Sequence, residues 1–285
     1  MQGSRPAWIG IGACALVLAL GAASALGGQA VKTKSNTVTI DGTTTDSVAA
    51  KCKRGTKAVS GGFASLYVLG SSDFGYLIPQ QSRREGARRW MAAAYNLGAT
   101  PGELTAFANC RDERLKRRLA SVAIAPGEGG TASAKCPKGT RLISGGFDGG
   151  EGGPADTPRF WVTTSRKVGP RTWTVSARNT GGAEGDLVAY AYCREGGKLK
   201  TAELSDTISV DDYPTNAEAD LVPSCKRRQR AVSGGFASDD LQIGAVIRAS
   251  YRLGQRGWRL RATLQGINGT DITAYAYCEK KKRKK

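Results

Sequence analysis

Residues 52–63 read Cys-Lys-Arg-Gly-Thr-Lys-Ala-Val-Ser-Gly-Gly-Phe, a pattern that returns twice along the chain. It recurs as CPKGTRLISGGF at 136–147 and as CKRRQRAVSGGF at 225–236. Self-similarity of this kind is the signature of a repeat architecture, in which each copy is one supersecondary unit. The sequence therefore predicts three copies of one module.

Each copy also contains a tryptophan placed 20 positions before a second cysteine. The pairs are Trp90 and Cys110, Trp173 and Cys193, and Trp258 and Cys278. Six cysteines permit 15 pairings, but the repeat favours one disulfide within each copy of an exported chain. The predicted bridges are Cys52–Cys110, Cys136–Cys193 and Cys225–Cys278. Loop-closure entropy assigns each of them roughly 4 kcal/mol.

Local patterns place the shared residues on β-strands. The stretch 173–179, Trp-Thr-Val-Ser-Ala-Arg-Asn, alternates apolar and polar residues, which is typical of an antiparallel strand with one wet face. Gly86, Gly169 and Gly254 each lie four positions before the tryptophan, where a hairpin needs a positive φ. Five or six short strands per copy predict an all-β protein of three tandem sandwich- or barrel-like modules after an apolar N-terminal helix.

The N-terminus has the pattern of an export segment. Arg5 precedes an uncharged apolar run at 7–26, and small residues at 23–25 or 28–30 fit a cleavage site. The run is also long enough to remain as a membrane anchor. Both readings place the rest of the chain outside the cytoplasm, secreted or held at the cell surface.

We divide the chain accordingly into an export segment, three modules and a basic tail. The predicted ranges are 1–30 for the signal peptide or anchor, 31–112, 119–196 and 201–279 for the modules, and 280–285 for a disordered tail. Residues 111–118 are expected to form a charged helix or linker, and 203–220 an acidic connector.

Composition narrows the chemistry. The chain has no histidine, which excludes a Ser-His-Asp or Cys-His pair, a His-containing zinc site and a histidine pH switch. The Ser-Gly-Gly-Phe triplicate lacks the first glycine of a hydrolase elbow, so we interpret it as a bulge or a close approach of another segment. The sequence predicts no enzyme activity, no metal and no cofactor.

The aromatic residues have two possible roles. The three tryptophans fit a core better than a set of carbohydrate-stacking platforms, because each begins an apolar strand face. Arginines two positions earlier, Arg88 among them, are expected to contact the tryptophan rings. The tyrosines of the last strands, Tyr190, Tyr192, Tyr275 and Tyr277, are expected to be buried between sheets or copies, the alternative being an exposed ligand-binding stripe.

The net charge of +18 predicts attraction to polyanions. The expected partners are anionic cell-envelope polymers or lipid head groups, with the membrane added if the N-terminal segment is retained. Nucleic acid fits the charge but not the aromatic pattern, which shows no single-strand stacking motif. The predicted polyanion-binding residues are Arg83, Arg84, Arg88, Lys226, Arg227, Arg228, Arg230, Lys280, Lys281, Lys282, Arg283, Lys284 and Lys285.

The block at 136–147, followed by Trp173 and Ala-Tyr-Ala-Tyr-Cys193, resembles a module of exported actinobacterial proteins. Some similar modules end collagen-like chains. The resemblance extends from residue 36 to 278 and implies no particular activity. Arg228 departs from it, because the other copies have Gly55 and Gly139 at that position.

Three functions follow from these observations. The first is a non-enzymatic secreted or surface-associated repeat protein that binds anionic envelope material. The second is a structural or self-assembling module whose copies pack with pseudo-threefold symmetry. The third is a hydrolase that uses two carboxylates, which needs both to converge in one pocket.

Overall fold

The computed structural model describes residues 31–66, 77–153, 157, 159–196, 202–209, 217–238, 244–264 and 271–280. These residues form an all-β structure of three antiparallel six-stranded sheets. The fold class predicted from the repeat is confirmed, with six strands in each copy. The predicted N-terminal helix and residues 281–285 of the tail lie outside the described residues.

The strands follow one order in all three modules. Module 1 contains β1 (Lys32–Ile40), β2 (Thr45–Lys51), β3 (Lys57–Leu66), β4 (Leu77–Glu85), β5 (Arg89–Asn96) and β6 (Gly102–Arg111). Module 2 contains β7 (Lys116–Ile124), β8 (Gly129–Lys135), β9 (Thr140–Asp148), β10 (Phe160–Val168), β11 (Thr172–Asn179) and β12 (Gly185–Glu195). Module 3 contains β13 (Ala202–Ser209), β14 (Glu218–Leu221), β15 (Gln229–Ser238), β16 (Ala245–Leu253), β17 (Gly257–Leu264) and β18 (Asp271–Lys280).

Each module is a small sandwich of two three-stranded layers. In module 1 the layer β1-β6-β3 packs on the layer β2-β5-β4. Burial alternates along β11, so that Trp173, Val175 and Ala177 face the core, as the sequence predicts. One disulfide joins the two layers of each module, and the predicted pairings are all confirmed: Cys52–Cys110, Cys136–Cys193 and Cys225–Cys278.

The sheets do not end at the module boundaries. β3 of module 1 pairs with β16 of module 3, β9 of module 2 pairs with β4 of module 1, and β15 of module 3 pairs with β10 of module 2. Each six-stranded sheet is therefore half one module and half another. The three modules close a ring around a central axis, and we call their contacts seam 1–2, seam 2–3 and seam 3–1.

The Ser-Gly-Gly-Phe pattern lies at the centre of this ring. Phe63, Phe147 and Phe236 pair across the seams with Ser250, Ser82 and Ser165. The first glycine of each pair lies against the tryptophan of its own module. The second lies against a serine carbonyl of the neighbouring module across the seam. A Cβ at either position would overlap these atoms. The pattern marks the close approach of two segments, which is why glycine is required there.

Two predicted connections are strands instead. Lys116, Arg117 and Arg118 belong to β7, in which Lys116 pairs with Cys193 of β12 and the following residues pair with those preceding Cys193. The prediction of a charged helix or linker at 111–118 was therefore wrong for these three residues. The prediction of an acidic connector at 203–220 was also wrong, because its described residues include most of β13 and most of β14. The strands β7, β13 and β14 all lie at the edge of a sheet with one face exposed. Polar side chains are tolerated on that face, so the sequence does not show the apolar alternation that marks a strand.

The turn predictions hold. Gly86, Gly169 and Gly254 have φ of 59°, 68° and 59°, as expected for the hairpin that precedes each tryptophan. Arg228 closes the same turn as Gly55 and Gly139, with a Gln229 N–H to Lys226 C=O hydrogen bond of 2.8 Å, but without a positive φ. An arginine therefore fits because the turn changes its backbone conformation.

Candidate functional site

Equivalent strand ends of all three modules lie at the same end of the ring. The registers place there the starts of β1, β3 and β5, the ends of β2, β4 and β6, and their equivalents in the other modules. We call this surface the basic end, because its exposed side chains are mostly cations. They include Lys32, Lys51, Lys53, Arg54, Arg89, Arg114, Lys116, Arg117, Lys135, Lys138, Lys226, Arg227, Arg228, Arg256 and Lys280. Asp112 and Glu195 are exposed acids at the same end.

The opposite end of the ring carries the other sign. Its exposed charged residues include Asp41, Glu103, Glu128, Glu151, Glu184 and Asp186. Two arginines at this end, Arg159 and Arg178, are half-buried. The net charge is therefore concentrated on one face, which strengthens its field toward an anionic surface.

The predicted polyanion-binding arginines of module 1 make contacts with other groups of the protein. Arg83 forms an ion pair of 2.7 Å with Asp148 of module 2. The guanidinium of Arg84 lies 4.8 Å from the centre of the Tyr192 ring and donates a 3.0 Å hydrogen bond to the Leu115 carbonyl. Arg88 donates to the Cys52 carbonyl rather than contacting the Trp90 ring. Of these three, Arg84 also lines a cavity, which is described below.

The predicted cluster of module 3 is divided. Lys226, Arg227 and Arg228 are exposed in the turn after Cys225, and Lys280 is exposed at the end of β18. Arg230 is buried and its guanidinium lies 3.2 Å from a carboxylate oxygen of Glu279. Residues 281–285 lie outside the described residues, and the chain leaves the described structure at Lys280, on the basic end.

Sequence reasoning missed several cations of the basic end. Lys53, Arg54 and Lys138 occupy the turns equivalent to 226–228. Alignment of the three turns after the first cysteine would have found them. Arg114, Lys116 and Arg117 were assigned to a linker, although they lie at the start of module 2.

Three equivalent residues meet on the axis at the basic end. Arg111, Arg194 and Glu279 each follow the second cysteine of their module. The two Glu279 carboxylate oxygens lie 2.6 Å from Arg111 Nη1 and 2.9 Å from Arg194 Nη1. Glu113 forms ion pairs with the same two arginines. Two arginines and one glutamate satisfy each other here, whereas three identical arginines would repel.

Charge pairing keeps Glu279 ionised. Burial alone would raise its pKa, but the nearby guanidiniums of Arg111 and Arg194 overcome this and lower the pKa to about 2. A general acid needs a proton near neutral pH. Glu279 and Glu113 are the carboxylates that converge at the axis, and both are held by arginines. They do not form the free pair that the hydrolase alternative requires.

Trp90, Trp173 and Trp258 are buried, as predicted. Each indole Nε1–H donates to a serine hydroxyl in the preceding strand, at 3.0, 3.1 and 2.9 Å. Ser60 and Ser144 donate to carbonyls of the neighbouring module, at 2.6 Å each. The axial cavity is lined by the three tryptophans, by the serines that accept from them (Ser82, Ser165 and Ser250) and by the three Gly-Gly-Phe segments. It holds only about 20 Å³, which is room for about one water molecule.

A larger cavity of about 460 Å³ opens at the basic end of seam 1–2. Module 1 contributes Lys57, Arg84 and Ala87, and module 2 contributes Arg114, Leu115, Lys116 and Glu195. Lys116 forms an ion pair with Glu195, and both side chains are mostly exposed. Four cations and one carboxylate thus surround a space large enough for a small ligand.

No protein-family model matches the chain, and no curated protein matches it significantly. Within the part of the chain that the structure describes, no helix is long and apolar enough to cross a bilayer. Among the same residues, no group of three or more Cys, Asp or Glu side chains is placed to hold a metal ion. The three disulfides indicate an oxidising, extracytoplasmic compartment.

Proposed function

We propose that this protein is a secreted or membrane-anchored, non-enzymatic scaffold that attaches through its basic end to anionic polymer or lipid of the cell envelope. The observation that carries the proposal is the uneven distribution of exposed charge, with cations predominating at one end of the ring and acids at the other. Each exposed basic residue near an anionic membrane contributes about 1 kcal/mol of attraction.

Chain direction supports an end-on arrangement. Val31, which follows the predicted export segment, lies on the basic end, and so does Lys280. An N-terminal anchor and the Lys- and Arg-rich tail would thus meet the same surface. This geometry would orient the acidic end away from the envelope.

The test compares two triple variants with equal changes in net charge. Lys53→Gln, Lys138→Gln and Arg227→Gln neutralise one exposed cation in each cysteine turn. Ala99→Glu, Ala123→Glu and Ala125→Glu, at exposed positions on or near the acidic end, provide the matched control. Binding to vesicles of phosphatidylglycerol and phosphatidylcholine, and to isolated envelope polymer, is measured by cosedimentation at several salt concentrations.

We expect binding that weakens with salt and falls strongly in the turn variant but little in the control. Equal losses in both variants would mean that only the total charge matters. Binding insensitive to salt would contradict the proposal altogether.

The closed ring supports one part of the second function, the self-assembling module: its three copies do pack against one another, but within a single chain. All three seams are made within one chain, so the surfaces by which single copies would associate are already occupied. We propose that one chain is a complete three-module assembly. Sedimentation should show a monomer of the secreted region, and a trimer would contradict this.

A further inference from the structure

We propose that the cavity of seam 1–2 is a binding site for a phosphate group. This is a discrete site, separate from the diffuse attraction of the basic end. Three observations support this site: the charges that line the cavity, the position of Arg84, and the occupation of the equivalent arginine donors at seam 3–1 by protein groups.

The lining favours a small anion with more than one negative charge. Lys57 and Arg84 face Arg114 and Lys116 across the seam, while the one carboxylate, Glu195, is paired with Lys116. Ala87 and Leu115 add apolar wall. Nonbridging phosphate oxygens accept several charge-assisted hydrogen bonds at once, and an arginine fork can bind two of them.

Arg84 lies at the inner wall of this cavity without a carboxylate partner among the described residues. Its Nη2 donates to the Leu115 carbonyl, and its guanidinium lies on the Tyr192 ring. Those contacts leave other N–H donors free to bind a ligand. Burial lowers the pKa of Arg84, so its charge is only partly compensated by the protein. A bound anion would supply that compensation.

At seam 3–1, the side-chain N–H groups of the equivalent arginine donate to carbonyls of the protein. Arg252 occupies the place of Arg84, and its guanidinium donates to the carbonyls of Ala231, Val31 and Gln255. Arg230, at the position of Lys57, is paired with Glu279. The donors that are open at seam 1–2 are thus occupied by protein at seam 3–1, which is why we place the ligand at seam 1–2 rather than at seam 3–1.

The test uses the full secreted region, with inorganic phosphate as the probe at constant ionic strength. Calorimetric titration should give one saturable site per chain. Lys57→Gln and Arg114→Gln should each weaken it about tenfold, because each removes one charged hydrogen-bond donor. Arg84→Lys should also weaken binding, since a lysine cannot offer the same fork. The matched control is Lys53→Gln, an exposed cation of the same end outside the cavity.

Two outcomes would overturn the site: no saturable binding of inorganic phosphate, or equal weakening by Lys53→Gln and Lys57→Gln. Vesicles containing phosphatidic acid distinguish the sources of the phosphate. If Lys57→Gln weakens binding both to these vesicles and to inorganic phosphate, the site accepts a lipid head group; if it weakens only the latter, the ligand is a free phosphate compound. The envelope proposal fails separately, through loss of the salt-dependent binding to phosphatidylglycerol.

Discussion

Two of the three seams have a tyrosine at a position where the third has an asparagine, whose side-chain hydrogen bonds stay within its own module. At seams 1–2 and 2–3, Tyr192 and Tyr277 accept hydrogen bonds from the backbone N–H groups of Arg84 and Lys167, at 2.7 and 2.8 Å. At seam 3–1 the equivalent residue is Asn109, whose side chain bonds instead to the hydroxyls of Ser60 and Thr33.

The aromatic contacts differ in the same way. Trp90 packs edge-on to Tyr192 and Trp173 to Tyr277, with ring centres 5.6 and 5.9 Å apart. Trp258 has no tyrosine opposite it and belongs to a small separate cluster with its own disulfide. Instead, Phe107 stacks on Tyr251 at 4.5 Å, and Arg252 donates to three carbonyls.

The same backbone arrangement therefore accommodates either a buried tyrosine or a set of arginine–carbonyl hydrogen bonds at the seam. Seam 3–1 joins the first module to the last, and it can form only once both have been made. It is held by the hydrogen bonds of Arg252 and by the half-buried stack of Phe107 on Tyr251, whereas each of the other seams has a buried tyrosine packed on a tryptophan. Nonidentical seams also specify the order of the modules, since each surface fits one partner best.

The largest effect is expected where all three seams meet, at Glu279. Glu279→Gln leaves Arg111, Arg194 and Arg230 with less compensating charge, so the free energy of unfolding should fall by about 3–5 kcal/mol. The folded pKa of Glu279 is about 2, below the ordinary 4.5. Its contribution is therefore complete above pH 4.5 and is lost as the pH falls toward 2.

Urea denaturation between pH 2 and 7 measures both effects. The variant should have a lower midpoint at neutral pH and a weaker pH dependence in the acid range. Glu195→Gln, which removes an exposed partner of Lys116, is the control and should change little. An unchanged acid profile in the Glu279 variant would mean that the axial charges do not stabilise the ring.

The next effect concerns close approach at the axis. Gly146→Ala would place a Cβ against the Ser82 carbonyl at seam 1–2, and Gly62→Ala against the Ser250 carbonyl at seam 3–1. The obstacle is backbone, so each change should cost about 3 kcal/mol. Thermal unfolding measures the loss. Gly86→Ala, in a hairpin with open space, tests positive φ alone and should cost about 1 kcal/mol.

The tyrosine seams are tested by removing one hydroxyl. Tyr192→Phe and Tyr277→Phe should each destabilise by about 2 kcal/mol, because the backbone N–H of Arg84 or Lys167 loses its acceptor. Tyr190→Phe is the control, since its hydroxyl makes only a 3.4 Å contact with Asp148. Chemical denaturation would contradict the comparison if all three variants behaved alike.

The smallest effect should separate the two arginines. Arg252→Lys removes a planar guanidinium that donates to three carbonyls, so the free energy of unfolding should fall by about 1 kcal/mol. Arg84→Lys removes the contact with one carbonyl, so the free energy of unfolding should fall by less. Hydrogen exchange of β1 and β7, the strands that follow those carbonyls, would report the difference locally. Greater loosening of β7 than of β1 would reverse our assignment of the satisfied and open arginines.

Local features were predictable where the physics is local. The cysteine pairing, the strand alternation around Trp173 and the positive φ of Gly86, Gly169 and Gly254 follow from spacing, period and sterics. The edge strands β7 and β13 were missed because their side chains are mostly exposed, so their sequences lack the alternation of apolar and polar residues that predicts a strand. The roles of Arg83 and Arg230 were missed because their carboxylate partners lie in another module or far along the chain.

By itself, the sequence determined three disulfide-linked β modules, because each module repeats its own cysteines, turns and apolar period. Only the tertiary structure decided that the modules share sheets in a ring, that cations gather at one end, and that a cavity opens at seam 1–2. Those features depend on contacts between residues of different modules, which lie far apart along the chain. Such contacts are selected by shape and charge across a seam, and no local pattern in the chain encodes them.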